Sequence, residues 1–180
     1  MPNHVINEVV FTGVDKALQS SILLKMVSPE SKIDFEVLLP PPLNIWQGNV
    51  GAVEEGAFPG NQLDWNRKNW GTKWNAYGMD EIDDKYAPIV STENTLVLTF
   101  QTAWNPPRGW LVALFNTINL SFEHNFLSED DDGGHTEYYI YNKEDKYSSK
   151  LWKYEKATKE MYKHLHKLLF GCEEFEPEET

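Results

Sequence analysis

The 180-residue chain has a single cysteine, Cys172. It therefore cannot form an internal disulfide, and the cross-linked frameworks of small secreted domains are excluded. No stretch approaches the ~20 consecutive apolar residues that a membrane-spanning helix needs. The opening Met1-Pro2-Asn3-His4 lacks the basic-then-apolar pattern of a signal peptide. These absences lead to the expectation of a cytoplasmic chain with no membrane partner. Basic residues are also scarce, 16 Lys and Arg against 28 Asp and Glu, for a net charge of −12. Such a balance repels a phosphate backbone and disfavours nucleic acid as a partner. The chain lacks a Gly-x-Ser-x-Gly elbow, a His-Glu-x-x-His helix and a phosphate-binding loop. No catalytic residue, metal ligand or cofactor is assigned. Cys172 lies beside Glu173 and Glu174, which disfavour a reactive thiolate.

Much of the acidity sits in two blocks, Glu129-Asp130-Asp131-Asp132 and the five glutamates after Cys172. Solvated charge is the plain reading of both. The first block faintly resembles a calcium loop starting at Ser128, but its twelfth position is Tyr139 where a glutamate is needed. Weak, nonspecific calcium binding is the most it supports.

Hydrophobic residues at 41% and aromatics at 13% specify a folded chain. One domain is expected over residues 1–171, followed by an acidic tail over 172–180. Residues 4–11 are apolar on both faces, as in a central strand. Val14, Leu18, Ile22 and Met26 predict a helix over 15–27, ended by Ser28-Pro29. Ile33, Phe35, Val37 and Leu39 alternate like a half-buried strand stopped by Pro40-Pro41-Pro42. Residues 43–93 form a long irregular insertion, with helical turns expected near 47–55 and 79–84. A strand over 96–104 leads to a helix capped by Asn105, with Pro106 at its first position, running to Ile118. Strands follow over 120–126 and 135–141. A last helix, capped at Ser148 or Ser149, runs to Phe170 and stops at Gly171. Two β-α-β units in this order predict an α+β, ferredoxin-like sandwich. The hairpin strand extends its sheet, giving the order hairpin strand, fourth, first, third, second, and the last helix packs on the sheet or caps one end.

Within the insertion, Asn69-Trp70-Gly71-Thr72-Lys73-Trp74-Asn75 concentrates tryptophan where the surrounding sequence is polar. A loop tryptophan must either cover a core or build a binding surface. Trp70 and Trp74, four apart, can form an aromatic wall, with Lys73 for an anionic group and Asn69 and Asn75 for directed hydrogen bonds. Alternatively both rings pin the insertion to the sheet. The expected split places Trp74 in the core and Trp70 with Lys73 nearer the surface. Trp104, in Thr102-Ala103-Trp104-Asn105-Pro106-Pro107, ends an inward-facing strand and reads as structural first, as a binding residue second.

These two runs, with the opening Pro2-Asn3-His4-Val5-Ile6-Asn7 and the proline cluster, resemble the YubB-like ferredoxin-fold proteins carried by phages, plasmids and prophages. The resemblance covers residues 2–141. It implies a mobile-element accessory protein of ferredoxin-like topology and carries no catalytic residue. The name concerns topology alone, since one cysteine cannot hold an iron–sulfur cluster.

The functional expectation is a non-enzymatic protein that binds a host or phage protein, with inhibition of a host defence protein as a named version. Nucleic-acid binding through the sheet or last helix is the alternative, because Lys150, Lys153, Lys156, Lys159, Lys163 and Lys167 all fall on that helix. An enzyme with an aromatic pocket is the third reading. His124 is expected to be a satisfied core histidine. His164 and His166, two apart on a helix, make no metal pair.

Overall fold

The computed structural model describes residues 3–47, 51–78, 88–131, 133–141 and 151–172. Its centre is β1 (His4–Thr12), which pairs antiparallel with β3 (Thr95–Ala103) on one side and β4 (Phe122–Ser128) on the other. The two-sided apolar pattern of β1 thus has its expected consequence. Beyond β4 lie β5 (His135–Ile140) and β6 (Leu151–Lys156), and beyond β3 lies the short β2 (Ile89–Ser91). The six-stranded order is β2-β3-β1-β4-β5-β6, antiparallel throughout.

Directly opposed residues share a face of the sheet. Asn7, Val9 and Phe11 of β1 therefore lie with Phe100, Leu98 and Leu96 of β3, and with Phe126, His124 and Phe122 of β4. Onto this face packs α5 (Arg108–Ile118). Trp110 meets Phe100, and Phe115 meets Phe122 and Tyr139. The opposite face receives α6 (Lys159–Phe170), whose His164 Nε2 lies 2.7 Å from Glu8 Oε2. Leu165 and Leu168 of α6 are buried in the same core as Ile6 and Leu127. The arrangement is α+β and ferredoxin-like, with its last helix on the sheet as expected.

Expectations fail at the first helix, the second strand and the last helix. The helix α1 (Lys16–Leu23), capped by Asp15, ends four residues before Val27, which instead bridges to Ile33. Residues 33–39 do not form the second strand. Asp34 caps a four-residue helix, α2 (Phe35–Leu38). Phe35 is fully buried, with its ring 4.6 Å from that of Trp110 and 5.6 Å from that of Trp70. One anchor ring replaces an alternating strand, and the place beside β3 is taken by β2 and Tyr77.

The last helix begins at Lys159, not near Ser148, because residues 151–156 are an edge strand. Thr158 caps the helix through Met161 N. The lysine stripe is thereby divided. Lys153 and Lys156 lie on β6, whereas Lys159, Lys163 and Lys167 lie on α6. Lys150, Ser148, Ser149, the expected helical turn at 79–84 and the tail beyond Cys172 fall outside the described residues.

The insertion carries more helix than expected: α3 (Ala52–Ala57) and α4 (Gln62–Asn69), the latter capped by Asn61. α5 also starts later than expected, with Pro107 at its N-cap instead of Asn105.

Candidate protein-binding surface

The tryptophan run is divided by the end of α4. The backbone N–H groups of Trp70 and Gly71 both donate to Asn66 O, and Gly71 turns left-handed at φ 90°. Here the chain passes against the start of α5. A Cβ at Gly109 would lie 2.2 Å from Asn69 O, so only glycine permits this approach. Trp70 is consequently enclosed. Its exposure is 0%, its Nε1 donates to Leu39 O at 2.9 Å, and Phe35 and Trp65 meet it edge-on. Asn69, whose Nδ2 donates to Trp65 O, belongs to the same scaffold.

Past Gly71 the chain is stitched along the end of β3. Thr72 Oγ1 donates to Ala103 O at 2.8 Å, and Tyr77 exchanges backbone hydrogen bonds with Gln101. Asn75 is a brace: its Oδ1 accepts from Phe35 N and its Nδ2 donates to Asp34 Oδ1. Between these fixed points Lys73 and Trp74 turn outward. Trp74 is 40% exposed, and Lys73 Nζ lies 5.2 Å from its ring centre. The expected split is therefore inverted, with Trp70 in the core and Trp74 at the surface. A left-handed glycine between them breaks the spacing-of-four argument.

Two residues that the sequence reading did not select complete the surface. Tyr77 meets Trp74 edge-on at 6.0 Å and His4 edge-on at 5.5 Å. Burial, then the nearby Glu129, pushes the Tyr77 phenol up to about 12, so it stays protonated. Its hydroxyl is hydrogen-bonded to His4 Nδ1 at 3.0 Å. Tyr77 sits immediately before Gly78 in a polar loop, the one sequence signal that marks it. His4 is held in turn by its backbone N–H to Glu129 Oε2.

Trp104 lies at the same end of the sheet, where its N–H donates to Asn3 O. It is 48% exposed with φ 73°, a left-handed conformation that a bulky side chain avoids. Thr102 Oγ1, donating to Asn105 O, closes the turn that imposes it. Trp104 is therefore not the inward end of a strand. Lys73, Trp74, Tyr77, His4 and Trp104 cluster where β1 begins and β3 ends. Of the six residues selected from sequence, Lys73, Trp74 and Trp104 reach this surface, while Asn69, Trp70 and Asn75 support it from beneath.

Three residues of the acidic block beside it are engaged within the chain. Glu129 accepts from His4 N, Asp130 from Asn3 Nδ2, and Asp131 contacts His135. Among the described residues no three His, Cys, Asp or Glu are grouped to hold a metal.

A second polar cluster lies inside. His124, fully buried, places Nδ1 3.2 Å from Glu137 Oε2 and Nε2 3.1 Å from Asn7 Oδ1. Arg108 Nε donates to Glu137 Oε1 at 2.7 Å. Burial lowers the His124 proton affinity, against the pull of Glu137. Burial pushes Glu137 up, but His124 and Arg108 outweigh it and hold the carboxyl below its usual range. This cluster locks the first turn of α5 to β4 and β5. It is a satisfied core, with the imidazole fully buried.

Two concavities among the described residues are small. One beside Tyr77 and Gly78 holds about 70 Å³, and another against Val10, Tyr138 and Ile140 about 190 Å³, below the ~300 Å³ at which ligand pockets begin. Among the described residues no helix is long and apolar enough to cross a membrane.

Residues 69–167, from the tryptophan run into α6, match a family model described as a ferredoxin-like domain in Api92-like protein. No curated protein and no solved structure matches the chain significantly.

Proposed function

We propose that this chain, which belongs to the family of the ferredoxin-like domain in Api92-like proteins, acts without catalysis by binding another protein through Lys73, Trp74, Tyr77 and Trp104. The observation that carries the reading is Trp104. A large ring half-exposed on a left-handed backbone costs stability, and such strain tends to persist where function uses it. Its neighbours have the chemistry of interface anchors, aromatic rings with an adjacent cation. They are held by strand ends and by braces such as Asn75, so little ordering entropy is lost on binding. The chain's net charge of −12 favours a protein over a nucleic acid. The resemblance of its two tryptophan runs to YubB-like proteins supports an accessory role in a phage, plasmid or prophage, with a host defence protein among the candidate partners.

The test is affinity purification from the native host with and without nuclease, followed by mass spectrometry. A protein recovered equally in both, and lost with Trp104→Ala, supports the reading. Recovery that nuclease abolishes would replace it with nucleic-acid binding.

A further inference from the structure

The two edges of the sheet are treated differently. On the β3 side the sheet ends in β2, only three residues long, and beyond it Pro88 O accepts from Thr99 N while Tyr77 and Gln101 exchange hydrogen bonds. On the other side β6 is six residues long and, among the described residues, the last strand of the sheet. A strand of that length at an edge presents backbone donors and acceptors to any chain that can align with it.

We propose that β6 pairs antiparallel with β6 of a second copy of this chain, about a two-fold axis at Tyr154. The sequence Lys153-Tyr154-Glu155 is self-complementary in that register alone. Centred on Tyr154, Lys153 opposes Glu155 of the other copy and Glu155 opposes its Lys153. Centred on Lys153 or on Glu155, like charges meet. A one-residue slip turns each face of one strand against the wrong face of the other. Edge lysines usually guard against pairing, but here the guard carries its own complement two residues away. Lys153 and Glu155 lie on one face, 59% and 42% exposed in their side chains, and already contact each other within the chain. Pairing would turn two local contacts into a four-charge ring.

Tyr154, on the opposite face, stacks on His135 at 4.8 Å and is 48% exposed. The two-fold axis brings it against its own copy. This interface is isologous, so it closes at a dimer and does not propagate. It joins two six-stranded sheets into one and leaves the surface around Trp104, at the far side of β1, open in both copies. The inference is therefore independent of the proposed function.

The experiment is light scattering behind size exclusion on the full chain, from about 1 to about 300 µM, a range that suits a strand pair smaller than a standard interface. The expected result is concentration-dependent conversion to twice the 20.8 kDa chain mass. Glu155→Lys and Lys153→Glu, each placing like charges in opposition, should raise the apparent dissociation constant tenfold or more. The double swap Lys153→Glu with Glu155→Lys should restore association, because the complement is regenerated in reverse. Circular dichroism confirms that each variant is folded.

Position is read separately by oxidation in a Cys172→Ser background, which removes the exposed native thiol. Tyr154→Cys should cross-link, since opposed Cα atoms ~4.5–5.5 Å apart suit a disulfide. Lys153→Cys should not, its own copy lying diagonally ~7–8 Å away. A wild-type chain that stays monomeric, a swap that fails to restore association, or equal cross-linking at both positions would overturn the proposal.

Discussion

Replacing Trp104 separates strain from packing. In Trp104→Ala the backbone stays left-handed while part of the ring's burial is lost. Complete burial of a tryptophan is worth ~3–5 kcal/mol on truncation. With the residue 48% exposed, about half of that, roughly 1.5–2.5 kcal/mol, should be lost. Trp104→Gly loses the same ring but removes the left-handed penalty of ~1–2 kcal/mol that an L side chain bears. Against this, glycine loses ~0.5–1 kcal/mol more than alanine in chain entropy on folding. The glycine variant should thus be more stable than the alanine variant by about 0.5–1 kcal/mol, taking the middle of those ranges. That is opposite to the usual order of the two residues. Urea melts of both, with slopes compared to confirm two-state behaviour, read the difference directly. A glycine variant less stable than alanine by more than ~0.5 kcal/mol would refute the strain argument, and with it the main support for Trp104 as a functional residue.

Other perturbations test the scaffold. Trp70→Ala should cost ~3–5 kcal/mol in urea melts, whereas Trp74→Ala, 40% exposed, should by the same proportion cost roughly 2–3 kcal/mol. Gly109→Ala should destabilise by ~1–3 kcal/mol or prevent folding, because its Cβ has no room against Asn69 O. Stability should pass through a maximum near pH ~6.5. His164, raised by its bond to Glu8, adds stability below its unfolded value that is lost as pH climbs through the folded one. His124, lowered by burial, withdraws stability as pH falls beneath 6.5, and Glu137, held low despite burial, does so further into acid. In melts across pH 5–8, His164→Gln should flatten the alkaline flank and His124→Gln the acid one.

The elements legible in the sequence were those whose pattern and burial agree locally. β1 showed apolar residues on both faces and stands between two strands. β3, α5, β4 and β5 followed in order. Residues 33–39 alternated convincingly, yet their conformation is decided by Asn75, forty positions away, which takes the backbone N–H of Phe35. The run from Leu151 to Met161 steps by three or four, which suits a helix. The stop was written in Thr158, whose cap to Met161 N starts α6, and in the strand-like alternation before it. For Trp70 and Trp74 the spacing was uninformative, because Gly71 reverses the chain between them. The Asn7–His124–Glu137 cluster draws on three strands, two of its members 117 positions apart, and no local signal announces it.

The most direct test of the binding surface is quantitative capture from host lysate by three immobilised proteins at equal load: wild type, Trp104→Gly, and the double variant Lys73→Ala with Trp74→Ala. Urea midpoints are measured on the same preparations. The account predicts that both variants stay folded, with midpoints lowered no further than the lost ring burial dictates, and lose at least tenfold of one protein's recovery, about 1.4 kcal/mol or more of binding. Recovery equal to wild type from folded variants would contradict it, and Lys73, Trp74 and Trp104 would then be ordinary surface residues.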